Sequence, residues 1–153
     1  MKLFPESAYI QLEFNKIREL LASYCETEWA TTKAHELRIH TKKEFVDTEL
    51  RQSHEYRQLV INGISFPNNF VQNLSKELKL LSIPGAVLSG EEFNHIRKLA
   101  AVIENIFRWF DNEKQIAYSG LFKVISNTYY EKVIPELIND VLDENSQVKD
   151  NAS

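Results

Sequence analysis

The segment from Ser89 to Phe110 constrains the fold of this chain more than any other stretch. It opens with Ser89-Gly90-Glu91-Glu92, a capping box in which a serine and a glutamate three residues later satisfy backbone amides at a helix start. Apolar residues then recur at helical spacing in two adjacent stripes, and such a helix buries more than one side. The pattern therefore predicts a central helix with several packing partners. The first stripe is Phe93, Ile96, Ala100, Ile103, Phe107 and Phe110, and the second is Leu99, Val102, Ile106 and Trp109.

Apolar spacing and capping residues predict the other helices. Thr27 is the expected cap of the second helix, and Thr41 with Glu44 that of the third, which should stop at Asn62-Gly63. The predicted helices cover about 8–24, 27–37, 41–61, 74–81 and 89–110, with two more around 121–125 and 133–142. Because 4 Gly and 4 Pro are too few for the turns of a many-stranded sandwich or barrel, the predicted fold is all-α, a single bundle of about six to seven helices.

The length of 153 residues suits one domain with one core. We expect the helical domain to occupy 1–142 and residues 143–153 to form a polar turn, with a short extended piece, that leads to a truncated junction. The packing expected in this domain places the first and third helices around the 89–110 helix.

The net charge of -4 comes from one end of the chain. Residues 131–150 contain six acidic and two basic side chains, and the remainder contains 16 of each sign. A module that binds duplex DNA by itself normally carries a basic excess. The charge therefore predicts weak or no nucleic-acid binding by this segment alone.

Three features predict a cytoplasmic protein without a membrane segment. Cys25 is the single cysteine, so no internal disulfide can form. The opening residues 1–6 break before a signal-peptide core could develop. The longest apolar run, Leu99–Ile103, is far shorter than the roughly 18 residues that a membrane span needs.

The sequence predicts no catalytic, cofactor-binding or metal-binding residue. Gly85 and Gly90 have the spacing of a phosphate-binding loop, but Glu91-Glu92 follow where that loop requires Lys and Ser or Thr. The histidines lack metal-ligand spacing, and no second cysteine could complete a zinc site. They are His35, His40, His54 and His95.

Four other candidates have a structural reading beside the functional one, and the structural reading is favoured for each. Cys25 is expected to be a buried or idle thiol, and the pairs Glu91-Glu92 and Asp143-Glu144 to occupy a helix start and a turn. The cluster Phe107, Trp109, Phe110 and Tyr118 could stack bases but more simply packs a core. Arg97, Lys98 and Arg108 could contact phosphate or form a solvated face.

Three sequence blocks, in order, point to a family. The start Leu12-Glu13-Phe14-Asn15-Lys16-Ile17, with residues 20–28, resembles the amino-terminal start of bacterial MutS-like proteins of the second paralogue group, which lack the mismatch-reading front domain. Residues 85–93, Gly-Ala-Val-Leu-Ser-Gly-Glu-Glu-Phe, resemble the family's Gly-x-Val-Leu-Ser-x-Glu-Glu-Leu helix start. Ile138 and residues 143–153 are similar to its Asp-Glu-x-Gly-x-Val-x-Asp-x-Ala-Ser passage, with Asn145-Ser146 where a glycine turn is usual.

The resemblance implies that the chain is the start of a MutS core, or lever, domain. It implies a longer parent that binds branched or mismatched DNA, or ribosomes, and that homodimerises. The parent would be an ATPase with ATP and Mg²⁺ in an absent carboxyl-terminal domain, acting in mismatch repair or recombination control. This segment would be a structural and coupling domain, not an enzyme. The alternative is a free-standing helical adaptor for a protein partner, which needs an exposed apolar patch that the polar middle of the third helix does not offer.

Overall fold

The computed structural model describes the backbone of residues 8–152 and the side chains of residues 10–152. It confirms the all-α class. The predicted secretion-signal break at residues 1–6 lies outside the described residues. Nine helical segments occur within 8–152, more than the six to seven expected. They are α1 (Ala8–Gln11), α2 (Phe14–Ser23), α3 (Glu28–His35), α4 (Lys43–Ile61), α5 (Ser75–Leu81), α6 (Gly90–Trp109), α7 (Asn112–Ala117), α8 (Ser119–Ile125) and α9 (Val133–Val141).

Two differences account for the extra helices. The predicted first helix is broken, because Glu13 adopts a left-handed conformation (φ 52°) between α1 and α2. The stretch after Asp111 contains one more helix than expected, since the Asp111 side chain accepts a hydrogen bond from the Lys114 amide and caps α7. Both are local backbone events that leave the apolar spacing almost unchanged, so the spacing did not indicate them.

The start of α4 also differs from the prediction. Thr27 caps α3 by accepting a hydrogen bond from the Ala30 amide at 3.2 Å, as expected. Thr41 makes no corresponding bond among the described residues, and α4 begins at Lys43. The end of α4 agrees with the sequence, because Gly63 takes the left-handed conformation (φ 64°) directly after Asn62.

The chain divides into two compact units, Met1–Leu50 and Arg51–Ser153, and the division falls within α4. In the first unit α2 packs against α3, the Arg18 side chain donates a 2.7 Å hydrogen bond to the Leu37 carbonyl, and Ala34 is buried.

Two expectations about domain organisation stay predictions. They are the packing of the first helix against the 89–110 helix and the domain boundary between 142 and 143.

The second unit contains most of the buried apolar side chains. Its helix α6 packs mainly against α9, which places Val102 and Ile138 in the interior. Within the described part of the chain, no helix has the length and apolar character that crossing a membrane requires. The other buried apolar side chains among the described residues of this unit are Leu59, Leu74, Leu88, Phe110 and Leu142.

Candidate functional site

Two of the sequence blocks that carry the family resemblance meet in space. Residues 85–93 lead into α6, residues 138–148 end α9 and form the turn after it, and the turn backbone lies against the first residue of α6. A Cβ atom added to Gly90 would lie 2.0 Å from the Ser146 carbonyl oxygen, so only glycine fits there without a shift. We call this region, consisting of Gly90, Arg97, Asn139 and residues 142–148, the α6–α9 junction.

Arg97 joins the three parts of the junction. Its guanidinium donates to the Asn94 side-chain oxygen on its own helix at 2.7 Å and to the Asn139 side-chain oxygen on α9 at 3.2 Å. It also donates to the Asp143 carbonyl in the turn at 3.3 Å. Because a planar guanidinium holds several acceptors in fixed directions, this side chain sets how α6, α9 and the turn are placed. Arg97 is therefore neither a free phosphate ligand nor a merely solvated group.

The turn after α9 is held by its own hydrogen bonds. The Asp143 carboxylate accepts from the Asn145 and Gln147 amides, both at 2.8 Å. Leu142 and Val148 form an antiparallel bridge, which confirms the predicted short extended piece. The Lys149 ammonium donates to the Asn139 carbonyl at 2.6 Å. The acidic pair Asp143-Glu144 thus belongs to a turn, as predicted.

The start of α6 is the capping box that the sequence indicates. The Glu92 amide donates to the Ser89 hydroxyl oxygen at 3.3 Å, and the Ser89 amide donates to the Glu92 carboxylate at 2.7 Å. These bonds, first the backbone one and then that from the Ser89 hydroxyl, lower the pKa of Glu92 below its ordinary value of 4.5. Residues 85–90 therefore lead into a capped helix start, which is the interpretation that the sequence favours.

The polar middle of α4 has a structural role that the sequence did not indicate. The Glu55 carboxylate accepts hydrogen bonds from the Gly120 and Leu121 amides at 3.0 and 2.8 Å. Gln52 donates to the Gly120 carbonyl at 3.1 Å. A carboxylate from α4 thus satisfies amides at the start of α8. A glutamate and a glycine 65 residues apart give no local signal of this contact.

Three of the four aromatic residues predicted to pack a core, Trp109, Phe110 and Tyr118, lie together at the end of α6, whereas Phe107 contacts Tyr130 with ring centroids 6.3 Å apart. Phe110 is buried and its ring contacts Phe66 and Phe122, with centroids 6.2 and 5.4 Å apart. Trp109 packs edge-on to Phe66 and donates its indole N–H to the Ser65 carbonyl at 3.0 Å. Tyr118 lies beside Trp109 at 5.8 Å. These rings contact one another and are not presented as a platform for bases.

The remaining basic candidates on α6 are placed differently. Arg108 forms an ion pair with Glu104, whose carboxylate also accepts from the Tyr130 hydroxyl at 3.0 Å. Burial, and then this hydrogen bond, raise the pKa of Tyr130. Lys98 and Arg108 are both exposed. A solvated face was expected for Arg97, Lys98 and Arg108. Lys98 and Arg108 lie on such a face, and Arg97 does not.

The predicted absence of catalytic, cofactor-binding and metal-binding residues stays a prediction. His40 packs on the Phe45 ring at 4.2 Å, and the half-buried Cys25 thiol lies 3.4 Å from the Leu21 carbonyl oxygen. In residues 8–152 no group of three or more His, Cys, Asp or Glu side chains is arranged to hold a metal ion.

The sequence is similar to that of known proteins. The chain is 30% identical over 148 residues to Endonuclease MutS2 of Aquifex aeolicus (strain VF5), a match that covers 97% of the chain and 19% of that protein. The chain is similar to one part of MutS2. Endonuclease MutS2 of Streptococcus pyogenes serotype M49 (strain NZ131) is 26% identical over 117 residues, and that of Streptococcus agalactiae serotype III (strain NEM316) is 24% identical over the same number.

The similarity confirms the resemblance to MutS-like proteins of the second group in its coarse form. It runs along almost the whole chain for the Aquifex protein and along 76% of the chain for the streptococcal ones. The chain spans about a fifth or less of the length of these relatives. No family model matches the sequence. No solved structure matches the fold.

Proposed function

We propose that this chain is a structural and coupling segment of a MutS2-like DNA-binding ATPase, with no catalytic site of its own. The observation that carries the proposal is the α6–α9 junction, where two blocks that resemble the family lie together and Arg97 links α6, α9 and the following turn. Arg97 thereby connects two helices and a turn into one hydrogen-bonded piece. Such a piece can transmit a displacement from one part of a larger protein to another.

The wider role is proposed from the family that the sequence resembles. The parent protein would bind branched or mismatched DNA, or ribosomes, and act as a homodimer in the cytoplasm, in mismatch repair or recombination control. ATP and Mg²⁺ would bind in an ATPase domain outside this chain. This segment would then support the parent protein and relay displacements between its other parts, since the groups at the junction are hydrogen-bonded to one another.

The first test is the reading frame around this sequence. A MutS2-like ATPase requires a Gly-x-x-x-x-Gly-Lys-[Ser/Thr] loop, whose lysine and backbone amides hold the phosphates of ATP. We expect this loop in the same frame, downstream of the sequence. A frame that closes without it would refute the ATPase parent.

The second test measures coupling in that longer protein. Replacing Arg97 by Ala removes the bonds to Asn139 and to the Asp143 carbonyl. We expect DNA-stimulated ATP hydrolysis to fall while basal hydrolysis and DNA affinity stay near wild type, because the ATPase and the DNA-binding parts remain but the link between them is loosened. Lys98→Ala, a change of the exposed neighbour on α6, is the matched control. Equal DNA stimulation in Arg97→Ala and the control would argue against coupling through the junction.

One observation favours the second candidate, a helical adaptor. The adaptor requires an exposed apolar patch, and the polar middle of α4 does not provide one. Such a patch does occur, however, at the other end of the second unit, beside the α6–α9 junction.

A further inference from the structure

An apolar groove lies where α9 and the turn after it meet the first turn of α6. It encloses about 290 Å³, and most of the surface that lines it is apolar. We call it the α9 groove and define it by Leu88, Phe93, Leu137, Ile138, Val141 and Val148. The sequence did not indicate this groove.

The outer wall of the α9 groove is formed by exposed apolar side chains. Leu137 and Val141 are 60% and 45% exposed, and Val148 on the facing turn is 67% exposed. Val133, one helical turn before Leu137, is 49% exposed. Residues four apart share one face of a helix, so Val133, Leu137 and Val141 form one exposed apolar stripe along α9. Contiguous apolar surface of this kind marks interaction sites.

Acidic side chains edge this stripe. Glu136 and Asp140 are exposed and directly precede Leu137 and Val141 in the sequence. On a helix they form a row beside the stripe, on the side away from the buried Ile138. Glu144 adds a further exposed carboxylate in the turn. The Lys149 ammonium, a nearby base, is directed to the Asn139 carbonyl.

We propose that the α9 groove binds an amphipathic α-helix of another polypeptide, with apolar side chains at helical spacing and Lys or Arg beside them. The apolar side chains of that helix would enter the groove, and its basic side chains would face the row of Glu136 and Asp140. Binding of an apolar helix face in a groove is a common recognition mode, and complementary charge selects the partner and its orientation. This inference does not depend on the MutS2-like parent.

The experiment uses the complete 153-residue chain and two synthetic peptides. Both peptides carry the same leucine stripe at helical spacing; one has Lys and the other has Glu at the flanking positions. Binding is followed by the amide shifts of Val141, Leu142 and Val148 in nitrogen-15 spectra. At low salt we expect the Lys peptide to bind at least about tenfold more tightly than the Glu peptide. This ratio should fall toward one at about 1 M salt, where charges are screened within about 3 Å.

Variants separate the two parts of the site. Leu137→Ser removes an exposed apolar side chain without changing a buried one. We expect it to lower the affinity for the Lys peptide by about tenfold. Glu136→Gln with Asp140→Asn should abolish the preference for the Lys peptide while the groove amides still shift. Ile116→Ser, a change on α7 at a residue that is 82% exposed, is the matched apolar control and should leave both affinities unchanged.

Three results would overturn the proposal. The first is equal affinity for the two peptides at low salt, and the second is binding that leaves the amides of the α9 groove unshifted. The third is self-association of the chain that Leu137→Ser abolishes, since the occupant would then be a second copy. Circular dichroism of each variant is the control for folding. A helical spectrum unchanged from wild type shows that a loss of binding comes from the groove and not from unfolding.

Discussion

Gly90 and Glu55 show how single residues fix the second unit. Each meets a backbone group that is distant in the sequence: Gly90 the Ser146 carbonyl, and Glu55 the amides of Gly120 and Leu121. Neither contact leaves a local sequence signal, because the requirement comes from the partner element. Substitutions at these two positions therefore test the tertiary arrangement itself.

Gly90→Ala should destabilise the α6–α9 junction. The added Cβ would lie 2.0 Å from the Ser146 carbonyl oxygen, so the turn must move, and overpacking of this kind costs about 1–3 kcal/mol. Urea unfolding measures the loss. Amide exchange of Gln147 and Lys149, which donate to Asp143 and to the Val141 carbonyl, should become faster.

Gly63→Ala is the matched control for that substitution. Gly63 has φ 64° and nothing within 4 Å of an added Cβ, so its cost is conformational only, about 1 kcal/mol. It should leave exchange at Gln147 and Lys149 unchanged. A Gly90→Ala protein whose turn exchanges at the wild-type rate would show that the close approach is not rigid.

Glu55→Gln should destabilise the second unit by about 1–2 kcal/mol, because one of two amide donors at the start of α8 then meets an amide nitrogen instead of a carboxylate oxygen. Urea unfolding measures the change. Glu49→Gln, at an exposed position of the same helix, is expected to stay within about 0.5 kcal/mol of wild type. Equal stability of the two variants would contradict the role assigned to Glu55.

At the scale of elements, the sequence predicts what local chemistry controls. The capping box of α6, the Thr27 cap of α3 and the end of α4 at Gly63 all follow from residues within one turn of the feature. The break at Glu13 could not be predicted, because the apolar spacing continues across it. The junction could not be predicted either, since Arg97 finds its acceptors 42 and 46 residues away.

The α6 capping box should make stability depend on pH. The folded pKa of Glu92 is lowered, so its ionised form is favoured in the folded state. This contribution is present above the ordinary value of 4.5 and is lost as the pH falls through the folded pKa. The stability difference between wild type and Glu92→Gln should therefore shrink between about pH 7 and about pH 3. Urea unfolding at several pH values measures it.

The matched control for this pH dependence is Glu91→Gln. Glu91 also lies in the first turn of α6, but the Ser89 hydrogen bonds go to Glu92. This variant removes a carboxylate from the same turn but keeps the two hydrogen bonds from Ser89 to Glu92. If the two variants lose the same pH dependence, the hydrogen bonds from Ser89 are not its cause.

At the scale of the whole molecule, charge argues against independent DNA binding. The net charge is -4, and several bases are committed to acidic partners, as in the pairs Arg108–Glu104, Lys33–Glu36 and Lys114–Asp111. Duplex affinity grows with the number of phosphates that Lys and Arg neutralise. A coupling segment of a larger DNA-binding protein does not need this affinity, and an adaptor does not need it either.

The 153-residue chain should therefore show no micromolar binding to duplex DNA at about 0.15 M salt, measured by fluorescence anisotropy. Arg38, His40 and Lys42 line a cavity of about 290 Å³ before α4, and this is where a duplex contact would be expected first. Lys42→Ala is consequently the informative variant. Micromolar binding that weakens steeply with salt and is reduced by Lys42→Ala would show that local positive charge outweighs the net charge, and that this segment contacts DNA directly.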